Sequence, residues 1–123
     1  MISQGTVLLV MLPKDRNGLY EALANAGADI LTATSCAEAS EVLEKSSHIS
    51  AIFGAYRLID GNFTDLVRMG RRYSKYIPTV VCMPSVDGGW TDILEAGAFQ
   101  VIVEPYETQE IQRLLTQLTH VVI

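Results

Sequence analysis

The chain has 123 residues, of which 49% are hydrophobic, and a formal net charge of −5. This size and composition predict a single domain with one packed core and exclude a disordered chain. The acidic balance argues against nucleic-acid binding, which needs clustered Lys and Arg, and the apolar runs are too short to span a bilayer. Two cysteines, Cys36 and Cys82, and the lack of a basic start to a secretory signal at Met1–Gly5 predict a reduced cytoplasmic protein with no membrane contact.

Short apolar runs that are typical of buried parallel strands recur along the chain. In chain order they are Thr6–Met11, Asp29–Thr34, Ile49–Ala55, Ile77–Met83 and Ala98–Val103. Pro78 is compatible with the fourth of these strands because it lies at the strand's first positions.

Each predicted strand is followed by a segment whose apolar residues recur at helical spacing. The helices are one around Leu19–Ala26 after a polar turn at Pro13–Gly18, one opening at Ser35, and then Phe63–Tyr73, Val86–Ala96 and Thr108–Thr119. Ser35, with Glu38 three residues later, is a capping-box signature. Gly27 and Gly97 are predicted helix ends. This alternation of strand and helix predicts a doubly wound α/β sandwich, (βα)5, around a parallel five-stranded sheet.

Four short motifs follow one another in the second half of the chain. They are Asp60-Gly61, the strand Ile77–Met83, the segment Leu94-Glu-Ala-Gly-Ala98 and the segment Val101-Ile-Val-Glu-Pro-Tyr106. Together they resemble the DG turn, fourth strand, LxAGA helix end and KP-aromatic turn of the receiver domain of bacterial two-component response regulators. The resemblance covers Thr6 to Leu118. It implies the flavodoxin-like, CheY-like strand order 2-1-3-4-5 and a role in signal transduction.

Active members of that family transfer a phosphoryl group to an aspartate, and the resemblance implies where each chemical position falls in this sequence. The acidic metal-binding pair falls on Met11 and Leu12, the acceptor on Ala55, the hydroxyl on Met83 and the lysine on Glu104. Mg²⁺ needs oxygen ligands and the phosphoryl oxygens need a cation, which this set of side chains does not supply together. The sequence therefore predicts a degenerate receiver, or pseudo-receiver, with no enzymatic activity, no metal and no cofactor. An apolar pocket of Met11, Leu12, Ala55 and Met83 is predicted in place of the reaction centre.

Two other functions stay open. An active phosphoacceptor would have to use Asp60, well along the loop from Ala55, or Asp15, beyond Pro13 in the first loop, and it is the least favoured interpretation. A flavodoxin-like domain that binds a small ligand is the stronger alternative, because methionine-lined clefts adapt to hydrophobic ligands. Against that alternative, the first loop lacks the exposed glycines and hydroxyls that hold phosphate groups.

Two surfaces are candidates for protein contacts. Trp90, Val101 and Tyr106 belong to the face of the fourth helix, fifth strand and fifth helix, which receivers use for dimers and partners, and Val101 takes the place of the family's rotating aromatic residue. Core packing is an equal alternative for Trp90 and Tyr106. The second surface is a basic stripe on the third helix, at helical spacing: Arg68, Arg71, Arg72 and Lys75. A solvated helix face is favoured there over docking of an acidic partner.

The remaining reactive side chains are predicted to be structural. His48 and His120 lie far apart and away from other metal-ligand types, so both are expected at the surface. Cys82 is predicted to be a core residue. Cys36 is predicted at a helix start, where its thiol pKa would be lowered.

The favoured function is a signalling domain that acts through protein contacts without phosphorylation. Its predicted partners are a second copy of the chain, in a homodimer, or an attached output domain, such as one that regulates transcription. Residues 1–123 are expected to form one receiver-like domain, the N-terminal part of a longer regulator, without direct nucleic-acid contact.

Overall fold

The computed structural model describes residues 5–46, 48–72, 76–84 and 90–119. Within these ranges, five strands form one parallel sheet in the order β2-β1-β3-β4-β5, which confirms the predicted doubly wound α/β fold and its strand order. The strands are β1 (Thr6–Val10), β2 (Asp29–Ala33), β3 (Ile49–Ala55), β4 (Thr79–Met83) and β5 (Gln100–Val103).

The predicted bounds of β3 are confirmed to the residue, whereas β4 and β5 begin two residues later than predicted. The backbone N–H groups of Ile77 and Ala98 explain this difference. Ile77 donates to the carbonyl of Gly70 at 3.1 Å, and Ala98 donates to the carbonyl of Ile93 at 3.3 Å. Both groups therefore close the preceding helix connection and are not part of the sheet ladder.

The helices that cover the sheet are α1 (Pro13–Asn25), α2 (Cys36–Lys45), α3 (Phe63–Arg71), α4 (Trp90–Glu95) and α5 (Thr108–Thr119). The polar turn predicted at Pro13–Gly18 was wrong, because α1 begins at Pro13. Proline suits the first helical position, because no N–H group is needed there. The negative charge of Asp15 in the first turn stabilises the helix, since it lies near the positive end of the helix dipole. Tyr73 and residues 86–89, predicted to belong to the third and fourth helices, lie outside the described residues.

The central strand β1 is buried over four of its five residues, since Val7, Leu8, Leu9 and Val10 have no exposed surface and only Thr6 is partly exposed. Alternate side chains point to opposite faces of a strand. Val7 and Leu9 accordingly pack in the cluster with α1 and α5, and the other two pack in the cluster with α2 and α3. Burial of each such side chain contributes about 1.5–3 kcal/mol to the stability of the fold. Because these side chains lie on both faces of the sheet, helices must cover both faces.

The apolar stripes of the helices face this core. All the predicted stripe residues of α1 and α5 are buried: Leu19, Ala22, Leu23, Ala26, Ile111, Leu114, Leu115 and Leu118. Gly27 and Gly97, the predicted helix ends, have φ values of +95° and +112°, which glycine adopts most easily. In the part of the chain that the structure describes, no helix combines the length and apolar character needed to cross a membrane.

The predicted capping box of α2 is half confirmed. The Ser35 hydroxyl accepts a hydrogen bond from the backbone N–H of Glu38 at 3.1 Å. The Glu38 carboxylate does not return to Ser35 but accepts from the backbone N–H of Thr34 at 2.6 Å. The reciprocal contact therefore lies one residue earlier than the motif predicts.

Gly70→Ala is expected to destabilise the domain by about 1–3 kcal/mol, as is usual for overpacking. A Cβ atom at Gly70 would overlap the carbonyl oxygen of Ile77, where α3 passes close to the chain that leads into β4. Urea unfolding measures the effect. The matched control is Gly18→Ala in α1, where a Cβ atom would meet nothing within 4 Å. This substitution should stabilise the helix by about 0.5–1 kcal/mol. Equal stability of the two variants would contradict the close approach.

Candidate functional site

The carboxyl ends of the strands meet at one edge of the sheet, as the parallel order requires. Val10 pairs with Gly54, and Ala55 pairs with Cys82. Met83 pairs with Val103, so Glu104 leaves β5 next to it. The structure therefore brings the predicted strand-end positions of β1, β3, β4 and β5 to the same edge.

The residues at this edge do not form the single apolar pocket that the sequence predicts. Met11 is buried, and it shares the cluster of α1 and α5 with half-buried Ala55. Met83 packs on the opposite face of the sheet, against a cluster that includes Phe63. Leu12 follows β1 and is 38% exposed.

Side-chain alternation explains the separation. Cys82 pairs with Ala55 and points to the same face, so the next residue, Met83, points to the other face. Ala55 and Met83 therefore lie at the same edge of the sheet but do not share one cavity.

Glu104 lies in a shallow groove between α1 and the turn after β5. The residues that line this groove are Gly18, Glu21, Pro84, Glu104, Pro105 and Tyr106. The Glu104 backbone N–H donates to the carbonyl of Met83 at 3.1 Å. Among the described residues that line the groove, two are carboxylates and none is Lys or Arg, so their charge opposes the approach of an anionic phosphoryl group.

Tyr106 is a half-buried residue at the inner side of this groove. Its hydroxyl donates to the carbonyl of Met83 at 3.4 Å, a long hydrogen bond that ties the turn after β5 to the end of β4. Burial raises the pKa of the phenol, and the nearby carboxylates of Glu104 and Asp15 raise it further. Tyr106 is therefore protonated, and part of it belongs to the core.

The structure offers no obvious metal centre at this edge. Across residues 5–46, 48–72, 76–84 and 90–119, no group of three or more His, Cys, Asp or Glu side chains is arranged to hold a metal ion. Met11 and Leu12 carry no oxygen ligand, and Asp15 lies in the first turn of α1. A Mg²⁺ ion prefers several oxygen ligands, which the Met11 and Leu12 side chains do not provide.

Asp60, the alternative acceptor, is bound elsewhere. Its Oδ1 atom accepts from the backbone N–H of Cys36 at 2.7 Å, and its Oδ2 atom accepts from that of Ala37 at 2.9 Å. These two bonds hold the carboxylate at the N-terminus of α2. They also lower its pKa, because they stabilise the charged form.

The expected low pKa of Cys36 was wrong. The pKa of this thiol is raised to about 11, first by burial and then by the neighbouring charge and hydrogen bond of Asp60. The positive end of the helix is occupied by the Asp60 carboxylate, so a second negative charge at Cys36 is disfavoured. Cys82 is buried, as predicted, and burial raises its thiol pKa as well.

The face of α4 carries exposed apolar side chains. Trp90 and Leu94 are 38% and 41% exposed, and they lie four residues apart on the same side of the helix. Phe99, just before β5, is 37% exposed. Val101 was predicted on this surface, but it is buried with Ile93 on the inner side, so that prediction was wrong.

The basic stripe of α3 is partly used within the molecule. Nη1 of Arg68 forms an ion pair with Oδ1 of Asp65 at 3.2 Å. A Cβ atom added to Gly97 would lie 2.6 Å from Nη2 of Arg71, so this guanidinium lies against the end of α4. Arg72 is exposed. Arg68 and Arg71 therefore make contacts within the domain, and docking of an acidic partner stays the less favoured prediction.

Two predicted surface residues lie outside the described ranges, namely Lys75 of the basic stripe and His120. The other histidine, His48, is exposed as predicted.

Comparison with known proteins gives similarity at the level of structure. No protein-family model matches the sequence, and no curated protein matches it. A response-regulator structure from Chloroflexus aurantiacus matches with a TM-score of 0.80 and 23% identity, over 94% of this chain and 98% of that one. The chemotaxis response regulator CheY4 of Vibrio cholerae matches with a TM-score of 0.76 and 19% identity, over 96% and 99% of the two chains.

A third similar structure is the receiver domain of a sensor histidine kinase from Pseudomonas aeruginosa, which has a magnesium ion coordinated in its active-site cleft. It matches with a TM-score of 0.75 and 20% identity, over 92% of this chain and 95% of that one. These similarities show that the chain has the fold of response-regulator receiver domains.

The carboxyl pKa of Asp60 is expected to lie below the ordinary Asp value of about 3.9. The two bonds to α2 favour the charged form, so their contribution to stability is complete above the ordinary pKa. It decreases as pH falls and is lost below the lowered pKa of the folded state. A carboxyl ¹³C NMR titration measures the pKa of Asp60. A midpoint for Asp60 at or above the ordinary value would contradict the bidentate contact.

Proposed function

We propose that this chain is a degenerate receiver domain that acts in cytoplasmic signalling through protein contacts, without phosphorylation. The observation that carries the proposal is the set of side chains at the carboxyl edge of the sheet: Met11, Leu12, Ala55, Met83 and Glu104. The fold of a receiver is retained, while the positions that the family uses for phosphoryl transfer have other chemical types.

The missing acceptor is the first argument. Ala55 ends β3 and has no oxygen that could attack phosphorus. Asp60 does not replace it, since both of its carboxylate oxygens accept hydrogen bonds from α2. Transfer to Asp60 would break these two charge-assisted bonds before any reaction.

Electrostatics is the second argument. Phosphoryl transfer needs positive charge at the transferred oxygens, which receivers of the family obtain from a metal ion and a lysine. Here the lysine position holds Glu104, and Glu21 faces the same groove. This negative groove repels a phosphoryl donor, so the proposed domain has neither the acceptor nor the counter-charge.

A binding surface for proteins is supported by α4. Trp90 and Leu94 leave more than a third of their surfaces exposed on one side of the helix. Exposed aromatic and aliphatic side chains of this kind are favoured anchors in interfaces. In the family that the chain resembles, this face mediates dimers and partner contacts. We therefore propose that the domain dimerises, or restrains an attached output domain, through this face.

The alternative, a domain that binds a small hydrophobic ligand, has less support. It depended on a cleft lined by methionines, but Met11 and Met83 pack on opposite faces of the sheet.

Mg²⁺ and beryllium fluoride, a mimic of a phosphoryl group, are expected to leave the amide NMR spectrum of the chain unchanged. The reason is that Ala55 offers no carboxylate for the mimic to bind. The positive control is a phosphorylatable receiver in the same buffer, which should respond strongly. Saturable shifts at Met11, Ala55 and Met83 would overturn the proposal that the domain works without phosphorylation.

Trp90→Ala is expected to weaken self-association about 30-fold or more, which corresponds to an interface hot spot. Sedimentation velocity over a concentration series measures the dissociation constant. Tyr20→Ala is the matched control, because Tyr20 is an aromatic residue of α1 with 42% exposure on another surface. Equal effects of the two substitutions, or a chain that stays monomeric at every concentration, would contradict the homodimer.

A further inference from the structure

The loop between Tyr56 and Phe63 follows the candidate site directly, and it is closed on itself. Residues Arg57–Leu58 and Gly61–Asn62 pair as a short antiparallel ribbon. At the base of the loop, the backbone N–H of Phe63 donates to the carbonyl of Tyr56 at 3.0 Å. The rings of the same two residues stack with their centroids 5.2 Å apart. These contacts hold the two ends of the loop together at its base.

The tip of this ribbon is also bound to a distant helix. A helix begins with backbone N–H groups that have no partner within the helix. In α2, Ser35 satisfies only the N–H of Glu38. The N–H groups of Cys36 and Ala37 donate to the two carboxylate oxygens of Asp60, which lies 24 and 23 residues further along the chain. Asp60 thus completes the cap of α2 from another part of the fold.

The junction between the ribbon and the two helices is closely packed. A Cβ atom at Gly61 would overlap Oδ2 of Asp65 and would lie 3.0 Å from Sγ of Cys36. Asp65, in the first turn of α3, accepts from the backbone N–H of Asn62 at 3.0 Å. The ribbon is therefore held between α2 and α3, and a side chain at position 61 would have to displace the Asp65 carboxylate.

We infer that Asp60 is a conformational latch, which joins the loop after β3 to the N-terminus of α2 so that the two segments open and close together. The latch is made of protein groups alone, so the loop next to Ala55 needs neither a metal ion nor a phosphoryl group to hold its closed shape. This inference stands on the geometry of Asp60 and Gly61. It does not depend on the proposed signalling function.

A local role is the alternative. If Asp60 served only as a cap for α2, its removal would free the N–H groups of Cys36 and Ala37 and leave the ribbon unchanged. A latch predicts coupled opening, because the same carboxylate restrains both segments. The amides of Asn62 and Phe63 report on the ribbon, since their hydrogen bonds lie within the loop and α3 and do not involve Asp60.

Hydrogen exchange of individual amides, followed by NMR, separates these roles in Asp60→Asn and Asp60→Ala. We expect exchange at Cys36 and Ala37 to rise about tenfold or more, as charge-assisted hydrogen bonds are lost, with a parallel rise at Asn62 and Phe63. Asp92→Asn, in the first turn of α4, is the matched control and should leave all four amides unchanged. A rise at Cys36 and Ala37 alone, or no rise at all, would overturn the latch.

Gly61→Ala tests the latch from the other side, because it keeps the carboxylate and crowds the junction. We expect it to raise exchange at the same four amides, including Cys36 and Ala37 in α2. If crowding at Gly61 opened only the ribbon, the two segments would be independent and the inference would be wrong. This variant also keeps the inference testable if Asp60→Ala does not fold.

Discussion

The burial of residues 7–10 in β1 is the constraint on which the rest of the structure depends. A strand that is apolar and buried on both faces needs a covering layer on each face, which helices provide here. Once β1 lies at the centre, its neighbours β2 and β3 are placed by register on either side. This placement brings the carboxyl ends of the strands to one edge of the sheet, where receivers carry out phosphoryl transfer.

At that edge, the same alternation that builds the core decides what a functional site would contain. Met11 and Ala55 belong to one helical layer and Met83 to the other, so their apolar side chains extend two clusters of the core. Uncharged side chains at these positions need no counter-ion. Glu104 is exposed to solvent at the groove.

Sequence patterns predicted the features that depend on periodicity, and they missed those that depend on distant partners. The bounds of β3 and α5 were predicted to the residue, because a buried strand and an amphipathic helix are encoded in adjacent positions. Asp60 and Gly61 were predicted as a turn, with Asp60 also a disfavoured acceptor. The cap was missed because nothing in the local sequence indicates a hydrogen bond to a helix 24 residues away. For the same reason, the thiol pKa of Cys36 was predicted in the wrong direction. The sequence indicated the start of α2, but it did not indicate that the Asp60 carboxylate binds there. The predicted apolar pocket was wrong because the sequence indicates where each strand ends, but it does not indicate which face of the sheet each side chain packs on.

The contact between Arg71 and Gly97 has a consequence for how surfaces of this domain can be probed. The guanidinium of an outward-facing residue on α3 lies against the end of α4, close to where that helix turns into β5. A charge reversal at Arg71 would place a carboxylate beside the negative end of the α4 dipole and would disturb that helix. Arg71 of the basic stripe therefore contacts the end of α4, so a substitution of Arg71 also affects the surface that α4 carries. Arg72, which follows α3, is the better reporter of the basic stripe alone.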